Sequence, residues 1–138
     1  MSTPTTTLRL RPHLREEIGR LAKRHRRSFS EVTQDLIEEA LRLRSCPGIY
    51  FADEPAGREA KVSGTGLGIW ELIRDYNEIG KNEAKLRKLF PQLSVAQVHA
   101  ALIYYSRFSD EIDEAIEDNR GLTWEAVKAQ LGSLVKQA

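Results

Sequence analysis

Thr5-Thr6-Thr7-Leu8-Arg9-Leu10-Arg11-Pro12 decides how the first third of this chain is read. It starts on β-branched threonines, alternates polar and apolar side chains with a period of two, and stops at a proline. That is the pattern of one short strand with Leu8 and Leu10 on the same face. From His13 the period lengthens, because Leu14, Ile18, Leu21 and Ala22 fall at helical spacing and predict a helix running to about His25. Pro12 suits its first turn, where no backbone donor is needed. Arg26-Arg27 makes a short turn, and Ser28 with Glu31 three residues on has the spacing of a capping box. A second helix follows with Phe29, Val32, Leu36, Ala40 and Leu43 on one face, widened by Ile37 and Leu41.

One strand and two helices within residues 1–44 cannot cover both a strand edge and so wide an apolar face. A second copy of the chain supplies the missing half most simply, pairing its strand antiparallel to this one and packing helix against helix. With Leu8 and Leu10 alternating, the helix start at Pro12, the basic turn and the Ser28-Phe29-Ser30 opening, Thr5 to Leu43 resembles a ribbon-helix-helix repressor of the MetJ/Arc/CopG type. The resemblance implies an intertwined homodimer whose two-stranded ribbon enters the major groove of operator DNA. It also implies that Thr5, Thr7 and Arg9 face the base edges, with Arg9 placed for a bidentate contact to guanine. Ser28, Phe29 and Ser30 would offer backbone N–H groups and hydroxyls to a phosphate, with Arg26 and Arg27 beside them as anchors. That family often carries a glycine in the turn between its helices; Arg26 stands there in this chain.

Charge agrees with that division. The whole chain holds 21 Lys plus Arg against 20 Asp plus Glu over 138 residues. Residues 1–44, however, carry 10 basic against 6 acidic side chains, and residues 45–138 carry 11 against 14. Arg9, Arg11, Arg15, Arg20, Lys23, Arg24, Arg26 and Arg27 oppose only Glu16 and Glu17, which suits a surface that meets a polyanion. The composition is 41% hydrophobic and 30% charged, that of a folding globular chain rather than a disordered one. Its length excludes a large multidomain enzyme. No apolar run approaches the span of a bilayer, and Met1 to Thr7 has no apolar signal region, so the expected setting is the cytoplasm with no membrane partner. The lone Cys46 makes neither an intrachain disulfide nor a zinc site.

Ser45-Cys46-Pro47-Gly48 reads as a linker into a second module at 49–138. Ile49 to Phe51 and Arg58 to Ser63 read as strands flanking an Asp53 to Gly57 turn, and Gly64-Thr65-Gly66 as the opening of a helix carrying Ile69, Trp70, Ile73 and Tyr76 or Asn77. Asn82 is placed to cap a short helix through Leu86, Leu89 and Phe90 that stops at Pro91. Ser94 and Gln97 form another capping box, before a helix with Val95, Val98, Leu102 and Tyr105 inward. Ser109 is placed to cap an acidic helix, and Thr123 a last one with Val127, Leu131, Leu134 and Val135. The fold class expected is therefore mainly α with short strands.

The run Gly57-Arg58, Val62 to Gly66, Trp70, Gly80, Leu86, Phe90 to Ser94, Val98, Ala100 to Leu102, Tyr104-Tyr105 and Asp110 to Asp113 is similar to the helix-turn-helix-like antitoxins catalogued as domain of unknown function 433. That resemblance covers about residues 49–117 and implies a winged-helix-like module in an antitoxin related to the VapB group, paired with a PIN-like ribonuclease toxin. Gln92, Gln97 and His99 are candidates for a groove, but the module's excess of acid favours dimerisation or partner binding over reading DNA.

No catalytic constellation stands out, and no cofactor motif. His13, His25 and His99 are scattered, and Gly64-Thr65-Gly66 lacks the rest of a phosphate loop. Asp110, Glu111, Asp113, Glu114, Glu117 and Asp118 spread around a helix without calcium-loop spacing, as a solvated face or a surface for a basic partner does. Trp70 and Trp124 suit core or interface anchors better than a base-stacking platform. The expectation is a non-enzymatic repressor and antitoxin, homodimeric or of higher order. Its rival is a stand-alone DNA-binding regulator whose second module oligomerises or senses a ligand.

Overall fold

A computed structural model describes residues 3–120 and 131–132 of the chain. Among them are six helices and one two-stranded antiparallel sheet, and no described helix is long and apolar enough to cross a membrane. The chain divides into two compact units, Met1–Ser45 and Cys46–Ala138.

In the first unit, residues 3–11 carry neither helix nor strand, where the alternation predicts a strand from Thr5 to Arg11. A strand exists only through its ladder, and no described strand pairs with these residues. Helix α1, Pro12–His25, starts on its proline as expected, with Arg11 in an extended conformation before it. Helix α2, Phe29–Ser45, runs two residues past Leu43 and takes up the first residue of the expected linker. Ile18, Ala22 and Val32 are buried between the two helices, with Leu10 and Leu21 packed partly against them. The rest of the apolar face stays open: Leu8 is 62% exposed, Leu41 63% and Ile37 48%.

The second unit opens with Cys46, which is 1% exposed and belongs to its core rather than to a free linker. Strands β1, Ile49–Glu54, and β2, Gly57–Val62, pair from Ile49 opposite Val62 to Glu54 opposite Gly57. The turn is thus only Pro55-Ala56, shorter than the Asp53 to Gly57 turn read from composition. Cross-strand pairing, including an Asp53–Arg58 ion pair at 3.2 Å, carries the ladder further out than the apolar residues alone suggest.

Helix α3, Ile69–Glu78, begins later than the glycines imply. The Thr65 hydroxyl donates to the Val62 carbonyl at 2.8 Å and accepts from the Leu67 N–H at 3.0 Å, closing a turn of its own. Gly68 then precedes the helix, its N–H donating to the Glu71 carboxylate at 3.2 Å. A Cβ at Gly68 would lie 2.9 Å from the Trp70 indole nitrogen and 3.0 Å from a Glu59 oxygen, so a larger residue there would have to displace one of these side chains.

Helix α4, Glu83–Leu89, is capped by Asn82, whose side chain accepts from the Lys85 N–H at 3.0 Å. Helix α5, Val95–Arg107, opens on the expected capping box, Ser94 Oγ accepting from Gln97 N–H at 3.1 Å and Gln97 Oε1 from Ser94 N–H at 2.8 Å. Its buried side is Val98, Ala100, Ala101 and Tyr104, while Val95 is 41% exposed. Of the expected inward set, Val98 lies in the core, Leu102 and Tyr105 pack partly against it, and Val95 alone falls outside; Ala100 and Ala101 join the buried side, and an added Cβ at Gly48 would lie 3.0 Å from that of Ala100. Helix α6, Ser109–Asp118, has Phe108 at its cap position, and the Ser109 side chain makes no cap.

Fourteen residues form one core here, with Val62, Ile69, Leu72, Ile73, Leu86 and Val98 fully buried. Tyr104 sits among them, edge-on to Phe51 at 6.3 Å and tilted against Phe108 at 4.9 Å, its hydroxyl donating to Glu111. Trp70 is partly buried against this core, donates its indole N–H to Glu59 and carries the Arg74 guanidinium 5.3 Å from its ring centre. Of the last helix expected from Thr123, with Val127, Leu131, Leu134 and Val135, only residues 131–132 are described, as helical with Leu131 exposed; the rest, like Trp124, lies outside the described residues.

Candidate nucleic-acid interface

Thr5, Thr7 and Arg9 lie in the irregular segment before α1, all exposed. Leu8 is exposed as well, whereas Leu10 leans on the small core. Of the two leucines of the alternation, Leu10 thus makes apolar contact and Leu8 is left exposed.

The turn between α1 and α2 is built in detail. Arg26 ends α1 in the left-handed conformation, at φ 53° and ψ 43°. Its own N–H donates back to the Lys23 carbonyl at 3.3 Å, and the Arg27 N–H reaches the Ala22 carbonyl at 3.0 Å. Six residues closed this way form the standard left-handed helix stop, whose key position favours glycine. A side chain there costs about 1 kcal/mol or more, which explains physically why a glycine suits this turn.

Ser28 and Glu31 close the expected capping box on α2. The Ser28 hydroxyl accepts from the Glu31 N–H at 3.0 Å, and the Glu31 carboxylate accepts from the Ser28 N–H at 3.4 Å. The backbone N–H groups of Phe29 and Ser30 remain without a partner among the described residues. The Ser30 hydroxyl accepts from the Gln34 amide at 3.1 Å.

Arg26 and Arg27, read together from the sequence, part company in the structure. Arg26 is exposed, with no acidic partner among the described residues. Arg27 donates to Glu31 at 3.2 Å and also binds Asp35, so its guanidinium spans two carboxylates one turn apart on α2. The hydrogen bonds that Arg27 donates to Asp35 first, and to Glu31 second, push its guanidinium above its usual range. The Ser28 hydroxyl first, and Arg27 second, hold the Glu31 carboxyl below its usual value. Asp35 was not singled out from the sequence, although its place four residues after Glu31 puts both acids on one helical face.

Two of the three groove candidates of the second unit, Gln97 and His99, are engaged elsewhere. Gln97 is held by its capping box and donates from its amide to the Ser63 carbonyl at 3.0 Å. His99 Nε2 lies 2.6 Å from a Glu83 oxygen, and Gln92 is exposed in the turn between α4 and α5. The acidic residues of α6 are drawn partly into tyrosine contacts, with the Tyr105 hydroxyl donating to Asp113 at 2.7 Å. That bond raises the Tyr105 phenol above its usual value, because the ionised oxygen would face the carboxylate. Among the described residues no three His, Cys, Asp or Glu side chains gather as a metal site would require. Comparison with family models, with curated proteins and with solved structures finds no match to this chain.

Proposed function

We propose that this chain is a homodimeric, sequence-specific DNA-binding repressor and the antitoxin of a toxin–antitoxin operon, its second unit neutralising a PIN-like ribonuclease. The observation that carries the DNA-binding half is the contrast within the first unit: three buried residues, an open apolar face and a row of exposed cations. A second copy covers that face and gives residues 5–11 the ladder partner they lack. The shared ribbon then presents Thr5, Thr7 and Arg9 to the major groove, and the start of α2 meets the flanking phosphate. The antitoxin half rests on the resemblance of residues 49–117, and the engaged Gln97 and His99 favour partner binding over groove reading there.

The test is co-expression with the product of the adjoining gene, then selection of duplexes from random sequence by the captured complex. A growth-inhibiting ribonuclease should be captured stoichiometrically, and one short operator should be enriched. Arg9→Ala should cost about 1–3 kcal/mol on that operator and relax one base position. Enrichment without a captured ribonuclease would leave a stand-alone repressor, and an unchanged affinity for Arg9→Ala would refute the ribbon.

A further inference from the structure

The two arginines of the α1–α2 turn have opposite surroundings, although they are neighbours in sequence. Arg27 follows the left-handed residue, at the point where the backbone leaves α1 for α2. Its N–H is tied to the end of α1 through Ala22, and its guanidinium to the first two turns of α2 through Glu31 and Asp35. A single residue thus fastens one helix to the other across a turn. The apolar contact between those helices rests on only Ile18, Ala22 and Val32, so polar fastening carries more of their mutual angle than in a thick core.

A guanidinium already paired with two carboxylates carries little free charge to a third anion. A phosphate approaching Arg27 would also meet Glu31 and Asp35. Arg26 has the reverse character. Its side chain is exposed, and so are Lys23 and Arg24 in the last turn of α1, all without an acidic partner among the described residues.

We infer that Arg27 is a positioning residue, which holds the α1–α2 turn through Glu31 and Asp35, and that Arg26 is the arginine of this turn that binds the DNA backbone. This refines the DNA-binding reading above and rests on it for Arg26, while the role of Arg27 can be measured without DNA. The division has a structural logic. The left-handed position is the one where a non-glycine residue is strained, and the arginine kept there is the one whose charge is free.

Two variants of the full chain separate the roles, each read by amide-exchange protection of residues 12–45 and by the salt dependence of binding to a duplex selected by the wild-type chain. Arg26→Gly removes the charge and relieves the left-handed backbone. Protection should hold or rise, while the slope of log affinity against log salt becomes shallower by about 0.9 for each arginine removed. Arg27→Gln removes the same charge and breaks the bracket to both acids. Protection of α1 and α2 should fall by about two- to fivefold, and the salt slope should stay as in the wild type. A slope reduced by Arg27→Gln as much as by Arg26→Gly would overturn the assignment, as would unchanged protection in Arg27→Gln. A wild-type chain that enriches no duplex would overturn the DNA-binding reading and the role of Arg26 with it. The exchange measurement would still decide the role of Arg27.

Discussion

Helix α2 has 17 residues and buries only Val32, while α3 has 10 and buries Ile69, Leu72 and Ile73. Both carry apolar residues at helical spacing, so the difference lies in what the rest of each unit provides. Around α3 a hairpin and three more helices close over the stripe. Around α2 there is one other helix, and Leu36, Ile37, Leu41 and Leu43 stay 39–63% exposed. An amphipathic face is a demand for a partner rather than a structure in itself, and among the described residues only the second unit meets that demand.

The sharpest way to break this comparison is to make the open face of α2 unfit for a second copy. Leu36→Asp together with Leu41→Asp leaves a single copy nearly untouched, since both side chains already face solvent. In a dimer that buries them, the two carboxylates should weaken association at least about 100-fold. Sedimentation should show a monomer with the second unit intact, and a persisting dimer would mean that the open face is not where copies meet.

The converse prediction concerns Leu72, fully buried in the second unit. Leu72→Ala should cost that unit about 2–5 kcal/mol in urea unfolding followed by tryptophan fluorescence. Trp70 packs against the core of that unit and residues 1–45 hold no tryptophan, so the signal does not come from the first unit. A loss well under 1 kcal/mol would show the second core to be as loose as the first.

The smallest effect is a pH dependence of the first unit. Its capping carboxylate, Glu31, is held below the usual 4.5 by Ser28 and Arg27. A depressed carboxyl stabilises the folded state above its unfolded value, and that contribution is lost as pH falls through the lower folded value. Protection of residues 28–35 should therefore hold above about pH 4.5 and decline below it, and Glu31→Gln should remove that decline while keeping the cap. An identical decline in Glu31→Gln would show that other acids govern it.

How far the residues announced all this depended on the range of the interaction involved. Pro12, Ser28 with Glu31, Asn82, and Ser94 with Gln97 each act within one helical turn, so their caps and starts were legible from spacing alone. Placements that depend on a distant partner were not. The burial of Ala100 and Ala101 on α5 involves a segment distant in sequence, at Gly48, where an added Cβ would lie 3.0 Å from that of Ala100. The late start of α3 accompanies the backbone pairing of Leu67 and Gly68 with β2, the Val62 N–H donating to the Leu67 carbonyl at 3.0 Å.

The candidate interface divides along the same line. By itself the sequence determined that residues 9–27 are a basic surface and that Ser28 to Ser30 open a helix, because charge and capping are local properties. Only the tertiary structure decided that Arg27 is spent on Glu31 and Asp35 while Arg26 is free, because that depends on where α2 lies relative to the turn. The strand expected at Thr5 to Arg11 is absent from the described residues: its alternation is a local property, but a ladder has no existence with one side missing.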